Sequence, residues 1–181
     1  MLIMIPLAIA MSFYSLDIIQ LIYKQKYDAA SQVLCILIWT VCLLFISTAS
    51  NTLLNASHKE VTVTKIYAVA AVFNVVLNFV MIPYFSYNGA AITTVLSDVL
   101  IVAIQTYVIY KLGHRPNKKL YIDLIKIITG SGILGIALYF LHLNMWVALP
   151  VGIIIYFAVI YLLRVFDDDD KYVIKEILNK N

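Results

Sequence analysis

Six side chains able to hydrogen-bond stand in stretches that are otherwise Leu, Val, Ile, Ala and Phe: Asn51, Asn55, Asn74, Asn78, Thr94 and Asp98. Asn51 and Asn55 are four apart, as are Asn74 and Asn78, so each pair stacks on one helix face, with Thr48 extending the first stripe. Thr94, Asp98 and Gln105 fall in one narrow sector at ~100° per residue, a third stripe. An ionised carboxylate in an apolar helix of membrane length costs about 2.5–3.5 kcal/mol on insertion scales, so something must offset Asp98. Two readings meet that demand. The carboxyl exchanges a proton or binds a cation as part of a transport cycle, or it is a structural group bonded to a neighbouring helix. The amides divide in the same way, between the wall of a hydrated cavity and interhelical hydrogen bonds worth about 0.6–2 kcal/mol each in a bilayer. Three stripes on consecutive helices favour one shared wall.

The elements that carry these residues follow from composition. Of 181 residues, 63% are hydrophobic and 13% charged, and the charges are clustered between long uncharged runs. A mean hydropathy of +0.93 does not describe a soluble domain of this size. A hydrocarbon layer of about 30 Å takes about 20 apolar residues per helix, and the chain supplies that length repeatedly. The expected fold class is therefore all-α and polytopic, with about six transmembrane helices. The first apolar segment covers 2–22; its spanning part ends near Ser15 and Asp17, and DIIQLIY, with Ile18, Leu21 and Ile22 on one face, lies at the interface. Pro6 is tolerated there because a neighbour can satisfy the carbonyl it frees. The further helices are expected near 29–55, 61–82, 88–111, 120–142 and 144–166, with Pro83 closing the third and Gly89 opening the turn into the fourth.

The chain thus divides into core helices over 1–111, a basic loop over 112–119, a peripheral helix hairpin over 120–166, and an acidic run with an amphipathic tail over 167–181. On the fifth helix Ser131 and Gly135 make a small-xxx-small face that admits another backbone. Cys35 and Cys42 are seven apart on one helix, too far to pair, and read as packing residues. The four consecutive aspartates read as a solvated charge run, not a metal site.

The formal charge of +3 comes from thirteen basic residues that cap apolar runs without forming a basic face, so no nucleic acid is expected as a partner. With six alternating helices, all of them except Lys24 and Lys26 fall on one side. The positive-inside rule then places both termini in the cytoplasm of a multi-pass protein of the cell membrane. Enzyme motifs are lacking: there is no Gly-x-Ser-x-Gly, no His-Glu-x-x-His, no Cys-x-x-Cys and no phosphate loop. No catalytic residue, metal or cofactor is expected.

The order of several short motifs resembles the C-terminal part of the polysaccharide-export flippases of the multidrug/oligosaccharidyl-lipid/polysaccharide exporter superfamily. They are LIYKQKYDAASQVLCIL from Leu21, NTLLNASHK from Asn51, then Asn74, Asn78, Ile82-Pro83, Gly89-Ala90-Ala91-Ile92-Thr93 and Ser97-Asp98. Lys24 and Ser86 depart from the pattern, standing where the family commonly has Gly. The resemblance implies about 12–14 helices in two lobes around a cavity that opens alternately to either side, of which this chain would be the last six, completed by a missing N-terminal half or partner subunit. It also implies transport of a lipid-linked oligosaccharide or polysaccharide precursor, coupled to a proton or sodium ion and surrounded by membrane lipids. Two alternatives remain open: a multidrug-type cation antiporter, and a non-transporting membrane subunit that scaffolds glycan assembly.

Overall fold

The computed structural model describes residues 1–24, 27–114, 118–141 and 144–162. The basic loop around Arg115, His142, the end of the expected sixth helix and the whole acidic run and tail lie outside the described residues. Within them the architecture is helical, in the order α1 (Met4–Phe13), α2 (Ser15–Tyr23), α3 (Ala30–Ala56), α4 (Glu60–Lys111), α5 (Lys118–Leu141) and α6 (Met145–Leu162). Helices are what lipid permits, because each satisfies its backbone internally. The helices α3, α4, α5 and α6 are each long and apolar enough to cross a bilayer, and the pair α1–α2 is a fifth candidate, bent by 70°.

The bend falls at Tyr14, beside the Ser15 and Asp17 expected to end the first span. At ten residues α1 is about 15 Å long, and α2 turns away from its axis with Leu21 and Ile22 exposed, as an interfacial helix does. Pro6 has no N–H to offer the carbonyl of Leu2. The hydroxyl of Tyr156 on α6 donates to that oxygen instead, so the satisfaction expected of a neighbour comes from the last described helix.

The long helix α4 is a hairpin. Its backbone breaks at Ser86 (φ 52°, ψ −132°), and pairs from its two arms meet in antiparallel order: Asn74 bonds Ser97, while Ile66 and Ala70 share a core cluster with Ile101. Each arm, 60–85 and 87–111, has the length of one span, so the broken α1–α2 segment, α3, the two arms, α5 and α6 make the six segments expected. The turn differs from the expectation. Pro83 does not close the helix but lies inside it, and the left-handed residue is Ser86, not Gly89. Gly89 serves a different need: a Cβ there would stand 2.4 Å from the carbonyl oxygen of Met81, so only glycine lets the arms come this close.

The α4 hairpin packs on α3, α3 packs on α1 and α2, and α1 packs on α5 and α6. The helix α1 therefore sits between two halves of the bundle. Ala8 joins Ile38 and Cys42 on one side of it, and on the other the expected small face of α5 receives it, with Ser131 buried and a Cβ built at Gly135 meeting Ile9 at 3.4 Å. Exposed Tyr23, Tyr27, Tyr84 and Tyr87 surround the hairpin tip and the α2–α3 turn, and exposed Tyr107, Tyr110 and Tyr121 lie at the opposite end. Two such aromatic belts mark the two membrane–water interfaces.

Candidate functional site

The polar stripes of α3 and both arms of α4 meet between the helices. In one network, Gln105 Nε2 donates to Asn51 Oδ1 at 2.7 Å and Asn51 Nδ2 donates to the Tyr67 hydroxyl at 2.7 Å. That hydroxyl also lies 3.1 Å from Ser47 Oγ. It ties α3 to both arms with neutral hydrogen bonds, and Leu54, Ile66 and Ile101 pack in the buried cluster of the same three-helix unit. In a second network toward the hairpin tip, Asn78 Nδ2 donates to Asn74 Oδ1 and Asn74 Nδ2 donates to Ser97 Oγ, both at 2.9 Å. The Ser97 hydroxyl returns to the Thr93 carbonyl.

Of the six expected site residues, the structure joins Asn74 with Asn78, and Asn51 bonds Gln105, which shares the third stripe but is not among the six. Thr94 spends its hydroxyl on the Ala90 carbonyl one turn back. Asn55 is exposed on α3, outside both networks. Asp98 is half-buried, and its carboxylate has no hydrogen-bond or ion-pair partner among the described residues. It is also the one acidic or basic residue between Lys65 and Lys111. Two further acceptors are buried without a partner among the described residues, Gln105 Oε1 and Asn78 Oδ1, and Gln105 as a whole is fully buried.

Tyr67 and Ser47 belong to the first network and are not among the residues expected to line a site. Their spacing carries a signal. Ser47 is four residues before Asn51 and Tyr67 seven before Asn74, so both continue the asparagine stripes. Serine and tyrosine are common enough in membrane helices that spacing alone does not set them apart.

No group of acidic, His or Cys residues able to hold a metal ion occurs among the described residues. What the arrangement offers is neutral hydrogen bonding that joins three helices, with one unpartnered carboxyl beside it.

The apolar spans and the aromatic belts define the class: an α-helical, multi-pass membrane protein. A relative agrees with that class. The chain is 31% identical over 183 residues to the uncharacterized membrane protein MJ1068 of Methanocaldococcus jannaschii, an alignment covering 99% of this chain and 36% of the relative. The chain spans about a third of the length of the curated relative it matches. No protein-family model and no solved structure matches it.

Proposed function

We propose that this chain is the C-terminal lobe, or a half-size equivalent, of a flippase that moves a lipid-linked oligosaccharide or polysaccharide precursor across the cell membrane, with Asp98 as the ion-coupling group. The observation that carries the reading is Asp98. The neighbouring amides satisfy one another across helices, whereas its carboxylate, half-buried in a spanning arm, has no partner among the described residues. A structural aspartate in a bilayer is held by a neighbouring donor, and a carboxyl kept free in that setting is suited to taking up and releasing a cation or proton.

The two departures from the flippase pattern also support the resemblance. Lys24 and Ser86, standing where the family commonly has Gly, have φ of 61° and 52°, in the left-handed region that favours glycine. Both termini are cytoplasmic in this reading.

A multidrug-type cation antiporter is favoured by the same lone carboxyl and by the scarcity of basic residues within the spans to hold a diphosphate. Reconstitution of the complete protein in proteoliposomes separates the two. Ion-gradient-dependent movement of a fluorescent polyprenyl-diphosphate sugar is expected, and gradient-driven efflux of an organic cation without lipid movement would replace the flippase with the antiporter.

A further inference from the structure

The helices α1 and α6 pack on α5 more closely than on each other, and a groove of about 320 Å³ is left between them. Leu134 and Leu138 of α5 are its floor. Ala10 on α1 with Ala148 and Gly152 on α6 are too small to fill it, and exposed Leu7 and Ile153 form its two rims. The lining is apolar except for the hydroxyls of Tyr14 and Tyr156, of which Tyr156 donates to the Leu2 carbonyl. Since α5 crosses from the end marked by Tyr121, α6 starts at the hairpin-tip end. The groove runs along α6 from Ala148, in its first turn, to Phe157. By helix rise that is about 13 Å, most of the roughly 15 Å occupied by the hydrocarbon of one leaflet.

Those dimensions select an occupant. Spread over its length, the volume corresponds to a channel about 5–6 Å wide, half the 10–12 Å diameter of an α-helix with its side chains. A further helix, from this protein or a second copy, is therefore too wide to enter. A methylene chain fits, because carbons pack at about 4 Å. The groove also opens sideways at a depth where the medium is hydrocarbon, and a leucine floor offers water nothing to bond. A polyprenyl tail, with its methyl branches and a length beyond one leaflet, suits a groove that ends near mid-membrane less well than a linear chain. We propose that this groove seats one acyl chain of a phospholipid from the leaflet on the hairpin-tip side, and that the chain completes the contact between α1 and α6. The site rests on the membrane spans alone and not on the flippase reading.

The intact protein is placed in phosphatidylcholine nanodiscs containing some phosphatidylcholine with a diazirine midway along one acyl chain. After irradiation, adducts are located by mass spectrometry. The reference is the exposed face of the first α4 arm, Val69, Val72 and Val76, which meets lipid without a groove. Only packing separates a seated chain from a free one inside a bilayer, so adducts on the groove residues of α1 and α6 are expected to exceed the reference by about fivefold. Ile153→Trp lays an indole across the groove from one rim and Leu7→Trp from the other, and each is expected to remove the excess. Ile154→Trp, at the adjacent exposed position that does not line the groove, is expected to leave it intact. Equal labelling of groove and reference would overturn the site, as would an excess that survives both rim variants or is lost equally in Ile154→Trp. Labelling below the reference would mean that protein covers the groove, and loss of the excess on adding unlabelled polyprenyl phosphate would reassign it to a polyprenyl tail; either result overturns the proposal.

Discussion

The carbonyl of Leu2 is left without an intrahelical donor by Pro6, and Tyr156 supplies the missing hydrogen bond from α6. Tyr156→Phe keeps the ring and removes the donor, so it should lower stability by about 1–2 kcal/mol, read from unfolding in detergent. In a Pro6→Ala background, where residue 6 regains an N–H, the same change should cost less, and the difference between the two costs measures the coupling. Ser86 and Lys24 hold left-handed backbone at a cost of order 1 kcal/mol each. Ser86→Gly should therefore raise stability by about 1 kcal/mol, and a loss on that substitution would mean that the serine side chain contributes something at the tip. At this scale the sequence was legible in part. The need created by Pro6 could be read from one residue, whereas its donor could not, because Tyr156 sits on a helix with no polar pattern to single it out. Asp98 was legible because a carboxyl in such a stretch demands a reason, and Tyr67 was not, because a tyrosine there demands none.

The hairpin of α4 is the element on which the candidate site depends. Its arms approach closely because Gly89 faces the backbone of Met81, and a carbonyl held in a helix cannot move aside as a side-chain tip can. Gly89→Ala should accordingly cost about 1–3 kcal/mol by overpacking and shift the pairing of Asn74 with Ser97, measurable as lowered thermal stability. The first network predicts a double-mutant coupling of about 0.6–1.7 kcal/mol between Asn51→Ala and Gln105→Ala. A value near zero would mean that the 2.7 Å contact adds nothing to the packing of α3 on α4. That helices occur in this order, and nearly at these bounds, was legible from apolar run lengths against a bilayer of known thickness. The turn was not. Proline and glycine were read as its punctuation, but Pro83 is carried within the helix and the reversal falls on a serine, a residue without left-handed preference. Contact of single stripe members across helices, Asn51 with Gln105 and Asn74 with Ser97, follows from their spacing, whereas one wall shared by all six expected residues does not form: Asn55, Thr94 and Asp98 stand outside both networks. That the amides join mainly to one another and leave Asp98 outside depends on rotations of each helix that a spacing of three or four residues does not determine.

For the whole molecule, the orientation proposed from the helix count and the charge asymmetry can be read from thiol accessibility. A cysteine introduced at His58, in the exposed α3–α4 turn, should be shielded from an impermeant external thiol reagent, and one at Asn144, at the start of α6, should be labelled, with Cys35 and Cys42 replaced beforehand. The opposite pattern would invert the molecule in the membrane. The chain corresponds to about a third of the length of its archaeal relative, and in the proposed flippase reading a further lobe would complete the transporter. In that proposed reading, Asp98 couples transport to an ion. The coupling is tested most directly by translocation of a polyprenyl-diphosphate sugar in proteoliposomes containing the complete protein with Asp98→Asn, which keeps size and hydrogen bonding but cannot titrate, compared with Asp98→Leu. Both variants should lose gradient-driven translocation, with Asp98→Asn retaining normal expression and thermal stability; translocation by Asp98→Asn at the wild-type rate would rule out ion coupling through this carboxyl.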